Sequence, residues 1–297
     1  MKLWVATGAV LLLAGAAVAL LLVDSDLWHS STQHRPDHFT THLLQREPPR
    51  RPEHQAARRS HHQRPSPFAL KPAGRHLPVD VKFAPQNEPK AGLLFDVHTG
   101  QVLWRHDAGR ELPIASLTKM MTSLIIARRH KPDESVLITP QALAYQGSGV
   151  GVLPKGKKVP LKDLFDGLLL VSGNDAAIAL AQHDAGTVGA FVRRMNSWRK
   201  RLGLHCSRFS TPSGILDKGN YLDLYNNNPF IIEGMKGITG LKTGYTDAAG
   251  RCYVITQRID GHELGVVLLN TPNPIDQVPA LLHAGAKFES RQGGKRS

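Results

Sequence analysis

Ile114-Ala115-Ser116-Leu117-Thr118-Lys119-Met120-Met121-Thr122 places a serine at the start of an apolar run, with a lysine three residues later. Leu117, Met120, Met121, Leu124 and Ile125 recur at i, i+3, i+4, i+7 and i+8, the spacing of one helix face. Pro113 upstream and Arg128-Arg129-His130-Lys131-Pro132 downstream read as start and stop signals. The pattern predicts a helix on which Ser116 and Lys119 share a face, one turn apart. A serine hydroxyl is a weak nucleophile until a nearby base takes its proton, and a desolvated lysine is such a base. The positive N-terminal end of the helix favours the neutral amine and the anion that develops during attack. Alone, the same spacing also describes an ordinary buried helix whose serine is a cap and whose lysine snorkels to solvent. The rest of the chain decides between the two.

The chain has 297 residues, 41% of them hydrophobic, a formal charge of +13 and a pI near 10. Such a charge draws a protein to anionic surfaces: lipid headgroups, wall polymers or nucleic acid. Nucleic acid is disfavoured as a partner, because no basic helix with interleaved aromatics occurs. Two cysteines, Cys206 and Cys252, cannot form a disulfide framework, and a single bridge between them stays open. Neither a C-x-x-C nor an H-E-x-x-H spacing is present, so no metal and no cofactor is expected.

Leu3 to Val23 is apolar or small throughout, flanked by Lys2 and by Asp24 and Asp26. Its length suits a membrane-spanning helix of ~20 residues. Segment 1–23 is therefore expected to be an uncleaved signal anchor, with Ala17-Val18-Ala19 as the alternative cleavage site. Lys2 inside and the acidic flank outside place the remainder on the extracytoplasmic side, or secrete it if the signal is cleaved. Segment 24–88 is dense in proline, arginine and histidine and lacks apolar periodicity, which predicts an extended polycationic linker. Its histidines (His29, His34, His38, His42, His54, His61, His62 and His76) are too irregularly spaced to read as a metal site.

Globular patterning is expected over 89–290, followed by a tail, 291–297. Gly92 to Val97 and Gln101 to Trp104 read as a hairpin around His98-Thr99-Gly100. The Ser116 helix follows, then a short helix opened by Thr139-Pro140 and a glycine- and lysine-rich loop from Gly147 to Lys158. Leu161 to Val171, Asp175 to Gln182 and Val188 to Leu202 have helical character, the first two separated by Ser172-Gly173-Asn174. Ile238 to Thr246, Arg251 to Ile259 and Glu263 to Leu269 read as strands, and Pro279 to Phe288 as a closing helix. A hairpin, then helices, then antiparallel strands and a helix describe an α+β fold.

Two further motifs carry chemistry. Ser172-Gly173-Asn174 lies in a turn between helices, where its side chains face a cleft. Lys242-Thr243-Gly244, followed by Tyr245, lies on a strand, where lysine and threonine offer cationic and hydroxyl donors and Gly244 allows close backbone approach. S-x-x-K, S-x-N and K-T-G in that order are the signature of serine penicillin-interacting enzymes. Their surroundings (Pro113 to Lys119, Val171 to Ala177, Phe191 to Asn196 and Gly240 to Thr246) resemble the D-alanyl-D-alanine carboxypeptidase family of low-molecular-mass penicillin-binding proteins. The resemblance runs from about Lys90 to Phe288.

That resemblance implies a β-lactamase/transpeptidase-like domain, an antiparallel sheet with a helical cluster, acting on peptidoglycan stem peptides. Ser116 would attack the carbonyl between the two terminal D-alanines and form an acyl-enzyme, with Lys119 as base and Ser172 as proton relay. Asn174 would hold the substrate amide, and Lys242, Thr243 and Gly244 would receive the terminal carboxylate. Backbone N–H groups of Ser116 and Tyr245 would form the oxyanion hole, and β-lactam antibiotics would acylate Ser116. The chain departs from the family pattern after Asp217: Asn220 to Tyr225 runs almost directly into Asn226-Asn227-Asn228, so one or two helices of the cleft wall are expected to be missing. Because the sequence stops soon after Phe288, the extra C-terminal β domain and membrane-binding tail of many relatives are expected to be missing. Between Asn174 and Lys242 the only glutamate is Glu233, outside an E-x-x-L-N pattern, which argues against fast β-lactamase turnover. A binding-only pseudoenzyme and an endopeptidase are the remaining alternatives.

Overall fold

The computed structural model describes residues 70–71, 76–145, 148–204, 207–214, 229–232 and 234–293. The expected anchor over 1–23, most of the linker, Cys206, Glu233 and the departure at 215–228 lie outside the described residues. Among the described residues no helix is long and apolar enough to cross a membrane.

Five strands form an antiparallel sheet in the order β2-β1-β7-β6-β5, where β1 is Ala91–Asp96, β2 Val102–His106, β5 Ile238–Thr246, β6 Gly250–Ile259 and β7 His262–Leu269. The hairpin and the three later strands stand where the apolar runs predict them. All six residues of β1 are buried, as are seven of the eight in β7, because the sheet is covered on both faces. Alternation divides them: Leu93, Phe95, Val267 and Leu269 join one core with Leu117 and Met120, while Leu94, Val266 and Leu268 pack on the opposite face with Val278, Leu281 and Leu282. Cys252, a free thiol, is buried in the first of these cores, and desolvation pushes its pKa up to about 11.

The second face is covered by α7, Pro274–Gly293. This helix starts five residues ahead of the expected Pro279 and runs into the expected tail. Pro274 occupies the first turn, where a missing N–H costs nothing, and the Gln277 amide donates to Asn273 O to open the helix. Pro279 falls only one turn further in and forfeits a single bond.

A helical lobe holds the third core. It comprises α1 (Lys119–Arg129), α2 (Pro140–Leu143), α3 (Leu161–Leu169), α4 (Asn174–Ala185) and α5 (Val188–Arg201), with a small β3 (Ser135–Leu137) and β4 (Lys158–Pro160) ribbon that the sequence pattern did not signal. Met121, Ile125 and Ile126 of α1 pack against Leu161, Leu164, Leu168, Ile178, Phe191 and Met195. Met120 faces the sheet instead. Residues 119–126 are consequently buried on every side, so α1 is wedged between sheet and lobe. The alanine-rich first half of α4 (Ala176, Ala177, Ala179 and Ala181, all buried) lets neighbouring helices approach its backbone.

The packed chain begins ahead of the boundary expected at 88/89. Val79 is buried and donates its amide to Leu103 O at 3.1 Å, and Trp104 Nε1 donates to Val81 O at 2.9 Å. Leu70 and Leu77 pack against the first core. These few apolar residues are diluted among prolines and histidines, which is why composition reads the segment as linker. Deleting residues 1–88 is expected to cost about 2–4 kcal/mol relative to deleting 1–69, the sum of one buried Val side chain and the lost hydrogen bonds. Urea unfolding of the two truncated chains measures this difference; equal midpoints would mean the segment contributes nothing.

Candidate active site

Ser116 lies in a single 3-10 turn, Ala115–Thr118, and Lys119 is the first residue of α1. The expected continuous helix is thus broken at its start. Ala115 takes a left-handed φ of 47°, uncommon for a residue with a side chain. Two backbones crowd this turn. At Gly214 (φ 83°) a Cβ would stand 1.9 Å from Ala115 O, and at Gly244 of β5 a Cβ would stand 3.0 Å from the Ser116 nitrogen. Only glycine fits at position 214, and at 244 a side chain would be tight against the turn. Thr122 Oγ1 donates to Pro212 O at 2.6 Å and ties α1 to the segment bearing Gly214.

Lys119 Nζ stands at the centre. It lies 3.0 Å from Ser116 Oγ, 3.2 Å from Ser172 Oγ and 2.7 Å from Asn174 Oδ1. The lysine has no exposed surface, and Ser116, Ser172 and Asn174 are buried beside it. Removal from water holds its pKa well below the ordinary lysine value, and the charge of Lys242 pushes the same way, against a smaller pull from Asp175. The amine is therefore poised as a base and placed to share the protons of two hydroxyls. Asn174 Oδ1 accepts from it, which leaves Nδ2 buried with no hydrogen-bond partner among the described residues. An orphaned donor of this kind costs stability unless a ligand satisfies it.

Ser172 ends the break between α3 and α4 in a left-handed conformation, φ 60°. The break is held by backbone bonds, Gly173 N to Gly167 O at 2.9 Å and Asn174 N to Ser148 O at 2.9 Å. Asp175, which sequence reasoning did not single out, secures it further. Its carboxylate accepts from the amides of Val150 at 2.8 Å and Gly151 at 3.1 Å, pinning the 148–151 loop over the turn. An acidic residue in the first turn of a helix is common, so its sequence position carried no special signal.

Lys242, Thr243 and Gly244 lie on β5, the edge strand of the sheet, with Lys242 and Thr243 buried and Tyr245 exposed. Gly244 brings this strand against the Ser116 turn. Lys242 Nζ donates to Thr243 O at 2.8 Å, and burial pulls its pKa down to about 7. A carboxylate arriving beside it would restore the cation and gain a charge-assisted bond. The structure thus gathers the serine, two lysines and Asn174 that the spacing singled out.

A buried serine–lysine pair, a second hydroxyl on the same amine and a lysine-bearing edge strand, on an antiparallel sheet with a helical cluster, define the class of penicillin-binding and β-lactamase-like serine acyl-transfer domains. Residues 79–226 match the peptidase S11 family, described as D-alanyl-D-alanine carboxypeptidase. Over those residues, just under half of the chain, the sequence is similar to that family. Among curated relatives, D-alanyl-D-alanine carboxypeptidase DacF of Bacillus subtilis is 28% identical over 256 residues, covering 71% of this chain and 66% of the relative. DacA of Escherichia coli K12 is 32% identical over 209 residues, covering 56% and 52%. The chain therefore spans about half to two thirds of the length of these relatives. The solved D-alanyl-D-alanine carboxypeptidase of Mycobacterium tuberculosis H37Rv superposes with a TM-score of 0.62 at 25% identity, covering 71% of this chain and 95% of that one. The match to the family stops before Lys242, so the placement of that lysine rests on the fold.

The pKa of Lys242 has a consequence for stability. Unfolded, this lysine keeps its proton to about 10.5; folded, it loses it near 7. Between those values the unfolded state binds more protons, so stability rises with pH across that window and gains nothing from this group below it. Lys242→Met is expected to remove about 1.4 kcal/mol per pH unit from that slope. Denaturant titrations at a series of pH values measure it; an unchanged slope would show that Lys242 is not neutral when folded.

Proposed function

We propose that the domain is a serine-type D-alanyl-D-alanine carboxypeptidase that trims peptidoglycan stem peptides through an acyl-enzyme on Ser116. The observation that carries this reading is the single buried amine of Lys119 shared by Ser116 Oγ, Ser172 Oγ and Asn174 Oδ1. Neutral Lys119 takes the Ser116 proton as Oγ bonds to the carbonyl carbon between the two terminal D-alanines. Ser172 then passes a proton to the departing D-alanine nitrogen as the C–N bond breaks. Water attacks the resulting ester, the shortened peptide leaves, and Ser116 recovers its proton.

The groups around the pair suit the ends of such a substrate. Lys242 and Thr243 receive the terminal carboxylate, and Gly244 leaves room for the backbone that follows it. The unpartnered Asn174 Nδ2 suits a substrate carbonyl. The backbone N–H groups of Ser116 and Tyr245 would face the oxyanion, each donor worth ~3 kcal/mol at the transition state in comparable sites. β-Lactams, which present an amide carbonyl and a carboxylate at similar separation, would acylate the same serine. A binding-only role would need none of the proton-transfer geometry that Lys119 has. Segment 1–23 would hold the domain at the outer face of the cell membrane, with the basic linker giving reach and adhesion to anionic wall polymer.

Intact mass after incubation with benzylpenicillin is expected to increase by one penicilloyl group on wild type and not at all on Ser116→Ala. Lys119→Ala should slow labelling by roughly 10²–10⁴-fold, the usual worth of a positioned base. Released D-alanine from a pentapeptide ending in D-Ala-D-Ala separates carboxypeptidase from endopeptidase. Labelling of Ser116→Ala at the wild-type rate would overturn the nucleophile.

A further inference from the structure

Away from the cleft, three side chains converge on one point. His130 follows α1, Glu134 closes the turn after it, and His183 sits in the last turn of α4. His130 Nδ1 lies 2.8 Å and His183 Nε2 2.9 Å from the same oxygen, Glu134 Oε2. All three ligand-type atoms fall within 4.8 Å of one another. The other carboxylate oxygen, Oε1, accepts from the Lys131 amide at 2.7 Å, which fixes the direction of the group.

The opposite nitrogen of His130 decides what the cluster can hold. His130 Nε2 faces Asp184 Oδ1 at 3.0 Å. Asp184 is itself fixed by Arg129 Nε at 2.6 Å and by Arg194 Nη1, and its side chain is wholly buried. Asp184 thus orients the His130 ring from Nε2, while Nδ1 is aimed at Glu134 Oε2. Nδ1 and Oε2 stand 2.8 Å apart, a spacing that either a proton on Nδ1 or a metal ion can bridge. A carboxylate on one ring nitrogen, with the other nitrogen turned toward further ligand-type atoms, is the outer-shell arrangement that metal-ligating histidines use.

We propose that His130 Nδ1, Glu134 Oε2 and His183 Nε2 form a three-residue site for a divalent transition metal, Zn²⁺ by donor type. Zinc takes imidazole and carboxylate donors at about 2.0–2.2 Å in a tetrahedron, whose corners stand ~3.3 Å apart. The separations of 2.8 and 2.9 Å would open by about half an ångström, and the two histidine nitrogens, within 4.8 Å of each other, would settle at the same spacing. The side chains are 14%, 35% and 22% exposed, in the order His130, Glu134, His183, so solvent reaches the fourth position. The site ties the C-terminal ends of α1 and α4 together. The N-terminal ends of those same helices carry Lys119 and Asn174. With α1 11 residues long, the metal would sit about 16 Å from the catalytic amine and act as a staple rather than in the reaction.

The test uses the full chain, stripped with EDTA and then titrated with ZnCl₂. Zinc caught by histidines of the 24–88 segment should bind folded and unfolded chains alike and leave the melting temperature unchanged. Zinc in the proposed site binds only the folded state. The melting temperature should rise by roughly 5 °C when free zinc is about 100-fold above its Kd, and the rise should vanish in His183→Gln and in Glu134→Gln. Penicillin labelling of Ser116 in both variants reports that they remain folded. Cobalt(II) substitution should give the intense visible bands of a tetrahedral site in wild type and not in either variant. No zinc-dependent rise in the wild type, or the same rise in folded His183→Gln, would overturn the proposal.

Discussion

The amine of Lys119 is buried without a carboxylate in hydrogen-bond reach among the described residues, and the rest of the site is arranged around that fact. Removing an ammonium from water is expensive, so the group gives up its proton instead. Its acceptance by the fold depends on three side-chain oxygens within 3.2 Å, supplied by the turn before α1 and by the break before α4. The nearby Lys242 adds repulsion that favours the neutral form. What would be a liability elsewhere is, in the proposed mechanism, the reason an unactivated serine acquires a base.

Holding the amine there requires both halves of the molecule. The α1 helix is buried on all sides because Met120 faces the sheet while Met121 and Ile125 face the helical lobe. The sheet contributes its edge strand, which Gly244 brings close to the Ser116 turn, and Gly214 lets a second backbone approach closer than any side chain would permit. The lobe contributes Ser172 and Asn174 from a helix break that Asp175 fastens to the loop above it. The candidate active site is therefore the seam between two cores, and it holds Asn174 Nδ2, a buried polar atom without a hydrogen-bond partner among the described residues.

Much of this was legible in the chain, because the strands are apolar runs of the right length and the reactive residues sit in short spaced motifs. Ser116, Lys119, Ser172, Asn174, Lys242 and Thr243 could all be read as candidates from residue type and order. The 3-10 turn at Ser116 could not, since the backbones that crowd it, at Gly214 and Gly244, are distant in sequence. Val79 and Trp104 could not be linked, because the segment before β1 is apolar at isolated positions only. His130, Glu134 and His183 form no local pattern: the last two are 49 residues apart and meet only because α1 and α4 end side by side. Periodicity reports a residue's own element; it is silent about which element ends beside it.

The central claim is that a neutral Lys119 is the base that activates Ser116. The most direct measurement is the rate constant for penicillin acylation as pH is lowered from about 9 to about 5, in wild type and in Lys119→Arg. The account predicts a rate that falls about tenfold per pH unit once Lys119 gains its proton, and a permanently charged arginine that acylates slowly at every pH. A wild-type rate independent of pH, or Lys119→Arg acylating as fast as wild type, would contradict it.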